Sequence, residues 1–342
     1  MKTGVVVMEK VKKREKISIT GRKIERFGIE VNEFDYLTAL SNRRLSSQNL
    51  GISVKLHWSI DRITIVGETK LWDYVDENGN PKVCYFADVF EHLKSKGFAE
   101  PVSRGWVLKD KYGENIAYAE ELQYQVGKAR IDFNPNKLGA CLDSDLKTFF
   151  KNLFVNPHFS RADVACDIID IPDEYISQYT IVSDVKSILY HDRAGKLETA
   201  YWGSRSSERQ VRMYNKYVEQ TKKGKAIHKD ITSWWRLEMQ LRREKASNWY
   251  QIVEDSLSEF CSPFFFPLSF SATDRVMLTG LFADNSLWAD ISKNSKTKYK
   301  KLQKELAKED ALTVALKETF REESNRLKDE LDTWLLGLDV TS

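Results

Sequence analysis

Tyr201-Trp-Gly-Ser-Arg-Ser-Ser-Glu-Arg-Gln-Val-Arg-Met-Tyr-Asn-Lys216 is the stretch on which the reading of this chain turns. A Gly/Ser-rich turn from Gly203 to Ser207 separates two runs of extended character. Side chains alternate across a strand. Arg212, Tyr214 and Lys216 therefore share one face of the second run, and Val211, Met213 and Asn215 share the other. A tyrosine between two cations is a candidate nucleophile. A free phenol titrates at about 10, adjacent positive charge favours the phenolate, and the same cations would stabilise a phosphodiester under attack. The plainer alternative is a surface strand whose tyrosine packs and whose cations are solvated.

Two further runs alternate in the same way. In Phe159 to Ile169, Arg161, Asp163, Ala165 and Asp167 fall on one face, against Ser160, Ala162, Val164 and Cys166 on the packed side. In Trp234 to Arg242, Arg236, Glu238, Gln240 and Arg242 oppose Leu237, Met239 and Leu241. If these strands neighbour the Tyr214 strand, one sheet face gathers Tyr214, Asp163, Glu238 and several arginines. Cross-strand salt bridges on a solvated face are the competing explanation. Trp234 and Trp235 could stack an unpaired base, but core packing is the better reading.

The run Tyr201-Trp-Gly-Ser-Arg…Val-Arg-Met-Tyr-Asn-Lys216, followed by Trp234-Trp-Arg-Leu-Glu-Met-Gln-Leu-Arg242, resembles the Rep_trans family of rolling-circle replication initiators from small plasmids of Gram-positive bacteria. Phe133-Asn-Pro-Asn-Lys137 resembles another family segment, and the similarity runs from about residue 30 to about residue 300. The resemblance implies that Tyr214 nicks one DNA strand and becomes covalently attached to it, forming a 5′-phosphotyrosyl link that later permits religation. It implies binding to the plasmid double-strand origin at an extruded hairpin with a single-stranded nick site. A host superfamily-1 helicase and a homodimer are the implied partners. A relaxase of an integrative conjugative element and a non-catalytic origin-binding protein are the alternatives.

Composition reads as that of a soluble intracellular protein. A hydrophobic content of 42% over 342 residues is ample for a large core, and a net charge of +3 barely favours nucleic acid in bulk, so local basic stripes must do the binding. The cysteines Cys84, Cys141, Cys166 and Cys261 form no C-x-x-C pair, so reduced thiols in a cytoplasmic protein are expected. Val5 to Val7 is too short for a signal segment, and no apolar run approaches the roughly 20 residues of a membrane span.

Ile60-Arg62-Thr64-Val66 and Asp61-Ile63-Ile65 mark opposite faces of an early strand. Cys84 to Lys96 reads as an amphipathic helix ended by Gly97, Leu146 to Phe154 as a short helix, and Ser183 to Leu189 as another. The expected class is α+β: antiparallel sheets with helices on one side, a helical C-terminal tail, and two halves that suggest a duplicated unit because each carries an Arg/Asp-bearing strand. Residues 1–30 read as a basic arm, 31–156 as the first half, 157–270 as the second half with Tyr214, and 271–342 as an origin-specificity segment and tail. In the tail, Leu302, Leu306, Leu312, Leu316 and Phe320 recur at helical spacing.

Tyrosine nicking needs a nucleophile, charge dispersal at phosphorus and stabilisation of the leaving 3′ oxygen. Tyr214, Arg212 and Lys216 are the catalytic candidates. The five histidines, His57, His92, His158, His191 and His228, form no His-hydrophobe-His pair. Hard oxygen ligands for Mg²⁺ or Mn²⁺ are therefore expected, with Asp163 and Glu238 chosen by alternation and Asp167, Asp61 and Asp132 as weaker candidates. Arg209, Arg161, Arg236 and Arg242 are candidate DNA contacts near the site. Arg275, Lys293, Lys296 and Lys298 are candidates in the stretch that the resemblance assigns to origin discrimination.

Overall fold

A computed structural model describes residues 23–26, 29–32, 41–45, 52–69, 72–75, 81–110, 113–136, 153–182, 185–263, 266 and 269–335. Its centre is an antiparallel sheet of 11 strands. In chain order these are β1 (Ser41–Leu45), β2 (Ile52–Thr69), β3 (Ala99–Val102), β4 (Gly105–Lys109), β5 (Asn115–Glu121), β6 (Lys128–Phe133), β7 (Phe154–Ile169), β8 (Ser187–His191), β9 (Leu197–Trp202), β10 (Arg209–Asn215) and β11 (Trp234–Arg242). Across the sheet the order is β8-β9-β10-β11-β7-β2-β6-β5-β4-β3, and β1 pairs with the start of β2.

That order is a repeat. The long strands β2 and β7 lie side by side at the centre. Outward from β2 come β6, β5, β4 and β3; outward from β7 come β11, β10, β9 and β8. In each direction the first strand of the half is followed by its fifth, fourth, third and second, so the two halves share one topology.

One face of the sheet is apolar because alternate residues of the central strands are. Trp58, Ile60, Val164, Cys166, Leu237 and Met239 are wholly buried there. Helices cover this face: α1 (Phe86–Ser95), α3 (Trp249–Leu257) and α6 (Ala311–Leu335), while α2 (Lys216–Lys222) follows β10, and α4 (Ala272–Ala283) and α5 (Lys293–Glu309) pack on each other. α1 starts where the Tyr85 N–H donates to Asp88 (2.8 Å) and ends before Gly97, whose φ of 78° suits glycine. α6 docks through Leu312, Leu316, Phe320 and Leu327. Phe320 meets Trp58 at 5.0 Å between ring centroids, and the Trp58 indole N–H donates to Thr319 Oγ1 at 3.1 Å. Leu316→Ala should cost about 3 kcal/mol through the cavity it leaves, measured by urea unfolding; a change below about 1 kcal/mol would mean that α6 is not seated on the sheet.

The α+β class and the helix-covered face are as the sequence indicates. Several local readings change. Ser187 to Leu189 is strand rather than helix: Ile188 pairs with Tyr201 and Tyr190 with Thr199, and Ile188, Leu189 and Tyr190 are all exposed, so no amphipathic stripe exists for a helix to bury. The helix read at 146–154 lies outside the described residues except for Leu153 and Phe154, and Phe154 opens β7. The basic run Lys10–Lys16 also lies outside them. The tail's leucines divide between α5 and α6, because Asp310 caps α6 by accepting from the Thr313 N–H at 2.9 Å. Leu306 joins the α4–α5 cluster, whereas Leu312, Leu316 and Phe320 join the main core.

Candidate active site

The register puts the predicted residues on one face. Tyr214 of β10 lies opposite Arg236 of β11, and Arg212 lies opposite Glu238. Next along, Arg236 faces Asp167 of β7, Glu238 faces Ala165, and Gln240 faces Asp163. Residues directly opposite in an antiparallel pair point the same way. Tyr214, Arg212, Arg236, Glu238, Asp163 and Asp167 therefore converge, with Val211, Met213, Leu237 and Met239 anchoring the strands from the other side. Lys216 is the first residue of α2, whose N-cap is Asn215, accepting from the Val218 N–H at 3.0 Å. The strand-to-helix turn thus holds Lys216 beside the tyrosine.

Tyr214 is only 7% exposed. Lys216 Nζ donates to its hydroxyl at 3.2 Å, and the Arg212 guanidinium lies 4.4 Å from the ring centroid. The expectation that these cations favour the phenolate is corrected here. Burial raises the Tyr214 phenol above its ordinary range; Arg236 and Arg212 oppose that, while Glu238 and Glu219 reinforce it. Low polarity penalises the anion more than the cations reward it. Burial also lowers the Lys216 ammonium, with Arg236 adding to the effect, against the ion pair that Lys216 makes with Glu219 at 2.6 Å. Tyrosine and lysine, nearly equal in proton affinity when free, are driven apart here: the phenol holds its proton more tightly and the ammonium less.

Arg236 is the best-anchored cation. Its Nε and Nη2 donate to the two oxygens of Asp167 at 2.7 and 2.6 Å, and its Nη1 donates to Asp61 at 2.6 Å. Asp167 also accepts from the Trp234 indole at 2.8 Å and is wholly buried. Burial alone would raise the Asp167 carboxyl, but Arg236 overrides it and holds the group below the ordinary range. Asp167 and Asp61 are therefore ion-pair partners of Arg236 in this arrangement, and Arg236 is fixed beside Tyr214 instead of lying open on the surface as a DNA contact. Asp132 is likewise an ion-pair partner, of Arg62 at 2.5 Å. Trp234 and Trp235 are buried, as core packing required.

The two metal candidates come to the same face, each held by an arginine. Asp163 binds Arg161 through both oxygens at 2.9 and 2.6 Å, and Glu238 binds Arg212 at 2.5 Å. Among the described residues no three His, Cys, Asp or Glu side chains gather as a metal cluster. The donor chemistry nevertheless suits a hard cation. Burial pushes Asp163 up to about 7; Arg161 opposes this, and the neighbouring Glu238 and Asp61 charges add to it. Two buried carboxylates that repel each other are what an added positive charge relieves.

That shift has a sign. The folded-state value of Asp163 lies above the unfolded one, about 3.9, so the folded protein binds more protons between the two. This group therefore withdraws stability as pH rises from about 4 to about 7, and nothing further above that. Asp163→Asn should flatten the profile over this window in urea titrations with chelator present. An unchanged difference between pH 4.5 and pH 7.5 would refute the buried assignment.

The remaining candidates divide. Arg161 and Arg242 lie opposite each other on the polar face, Arg242 bonding the Ser207 carbonyl at 2.8 Å. Arg209 does not join them: it pairs with Glu259 at 3.0 Å and Ser256 at 3.2 Å, beside α3. Arg275 in α4 and Lys293 in α5 are exposed, Lys298 pairs with Asp274 at 2.6 Å, and Lys296 is half-buried. The structure places these four on α4 and α5. Alternation in β2 did not anticipate Asp61 at the site. A register shift between the Asp163 and Val164 pairings leaves Asp61 as an extra residue, so Asp61 and Arg62 both turn to the polar face. Glu219, which orients Lys216, had only the helical i,i+3 spacing as its signal.

No family model matches the chain. Curated relatives do. A replication initiation protein of Staphylococcus aureus is 30% identical over 301 residues, covering 87% of this chain and 90% of the relative. A second from the same species is 29% identical over 301 residues with the same coverage. A solved rolling circle replication initiator protein from Geobacillus stearothermophilus aligns at 17% identity and a TM-score of 0.38, covering 66% of this chain and 96% of that one. With a relative matched at 30% identity along nearly its whole length, the chain belongs to the family of replication initiation proteins.

Proposed function

We propose that this protein binds a plasmid double-strand origin and nicks one strand with Tyr214. The carrying observation is the tyrosine hydroxyl within hydrogen-bond reach of Lys216, beneath Arg212 and opposite the anchored Arg236. The phenol oxygen attacks the phosphorus, the O3′–P bond breaks, and the proton from the phenol ends on the leaving 3′ oxygen. The 5′ phosphate stays on Tyr214 as a diester. Reversal by a 3′-hydroxyl closes the strand without ATP, which is topoisomerase-like strand transfer. Lys216 and Arg212 stabilise negative charge on the phenol oxygen and the phosphate.

The arginine–carboxylate pairs give this reading a binding step. A phosphate offers Arg161 and Arg212 a bidentate partner of the same geometry as the carboxylates they now hold. Exchange onto DNA would free the oxygens of Asp163 and Glu238, diagonal neighbours across β7 and β11, from their arginines, with Gln240 still donating to Asp163. Those two residues are the ones that would hold Mg²⁺ or Mn²⁺, which when bound supplies Lewis-acid polarisation of the phosphate. The same reading includes a cytoplasmic setting, a homodimer and a host superfamily-1 helicase that unwinds from the nick. No described helix is long and apolar enough to cross a membrane.

The test is incubation with supercoiled plasmid carrying the cognate origin, with Mg²⁺, Mn²⁺ or chelator. The expected product is a nicked circle whose 5′ end carries the protein, with the adduct on the peptide that contains Tyr214 and none in chelator. Origin binding with no cut under any condition would sink the enzyme reading.

A further inference from the structure

The two halves share side chains as well as strand order. His57-Trp-Ser-Ile-Asp61 of β2 parallels His158-Phe-Ser-Arg-Ala-Asp163 of β7, and Arg130-Ile-Asp-Phe133 of β6 parallels Arg236-Leu-Glu-Met239 of β11. Register extends the match to the next strand. In the second half Arg236 faces Tyr214 and Glu238 faces Arg212. In the first half Arg130 faces Glu120 and Asp132 faces Tyr118. Glu120 therefore stands where the tyrosine stands in the copy.

The first-half residues form their own cluster on the same polar face. Arg130 pairs with Glu120 at 2.8 Å, Arg62 pairs with Asp132 at 2.5 Å, and the Tyr118 hydroxyl donates to Glu120. Arg130 lies 5.9 Å from the Tyr118 ring centroid. The face is continuous with the nicking site, because Arg62 lies directly opposite Asp163. The arginines here are also more open, with side chains 47% and 41% exposed for Arg62 and Arg130, against 21% for Arg161.

We propose that this cluster is a second phosphodiester-binding site for single-stranded DNA, a copy of the nicking site that grips the strand without cutting it. Arg62 and Arg130 are the phosphate ligands, and the Tyr118 ring offers a surface for a base. Glu120 puts a carboxylate at the nucleophile position, and Tyr118, which stands where Arg212 stands in the copy, has its hydroxyl tied to Glu120. Five strand spacings separate β5 from β10, roughly 24 Å, which a single strand spans with at most about seven nucleotides, the count at the ~3.4 Å rise it has within a duplex. The inference rests on reading the Tyr214 face as the DNA-cutting face.

The experiment uses full-length Tyr214→Phe protein and fluorescence anisotropy. Its probes are single-stranded oligonucleotides bearing the nick site alone, or extended by about eight nucleotides on either side. Extension on one side should tighten binding about tenfold and steepen the salt dependence. Arg62→Gln with Arg130→Gln should remove that gain and reduce the salt slope by about two. Glu120→Gln, which frees Arg130, should enlarge it. Damage to the fold would weaken both probes in every variant, so opposite signs for the arginine and glutamate changes identify the site. The inference is overturned if extension adds nothing on either side, if the double variant weakens both probes equally, or if Glu120→Gln weakens the long probe. Failure of even the short probe to bind would instead overturn the reading of the Tyr214 face, and this site with it.

Discussion

Tyr214→Phe is expected to eliminate the protein–DNA adduct and to lower nicking of origin plasmid by at least about a thousandfold. The change removes one oxygen and little else. Its hydrogen bond to Lys216 is a single contact of 3.2 Å, and Lys216 keeps Glu219 at 2.6 Å. The ring remains against Arg212. A hydrogen bond from a charged donor is worth about 1.5–3 kcal/mol, and Lys216 keeps its ion pair, so the unfolding transition should fall only modestly and origin affinity should be close to that of the parent. Loss of activity without loss of fold or binding is the signature of a missing nucleophile. An adduct that survives in the phenylalanine protein would move the nucleophile to another residue.

Asp167→Ala should be the most destabilising change at the site, at about 3–5 kcal/mol. The reason is what it strands. Arg236 is 9% exposed and would keep only its bond to Asp61, while the Trp234 indole would lose its acceptor. An unpaired buried guanidinium is far costlier than the net worth of the pair. Asp61→Asn is the comparison. It leaves the bidentate bond intact and should cost about 1 kcal/mol, because Asp61 is more open to water. Urea unfolding of the two variants side by side provides the check. Equal small losses would mean that water reaches Arg236 and that Tyr214 sits in a wetter site than its burial indicates. Nicking should also fall in Asp167→Ala, since Arg236 is the cation opposite the tyrosine.

The polar face was legible because three strands alternate without interruption. In β7, β10 and β11 every second residue from Arg161, Arg212 and Arg236 points to the same side, and pairing those strands brings Tyr214, Asp163 and Glu238 together. What alternation could not supply was depth. Asp163 and Glu238 read as polar-face residues, yet they are 1% and 6% exposed, and Tyr214 beside them is buried enough that its own desolvation reverses the expected effect of the cations on it. Nor could it supply the partners. Glu238 pairs across the strands with Arg212, not with Arg236 two residues away in sequence. Where the period breaks, the reading broke with it: the extra residue in β2 sends Asp61 to Arg236, and no local pattern marks it. β8 misled for a different reason, since Ser187 to His191 is exposed along its whole length and has no buried face to set a period.

The central pairing of β2 with β7 also governs how the chain must be made. In each half the last strand closes against the first, so β2, β3, β4, β5 and β6 can assemble as soon as Phe133 has left the ribosome. From the moment β2 is complete, its other edge waits for β7, which begins at Phe154, 85 residues after β2 ends at Thr69. At about 5–20 residues per second, roughly 4–17 s pass before that partner even starts to appear. Through that interval an 18-residue strand rich in isoleucine and valine presents open backbone groups to whatever is nearby, including β2 of a neighbouring nascent chain. Yield in a heterologous host should therefore respond more to translation rate and chaperone supply than to the stability of the finished protein.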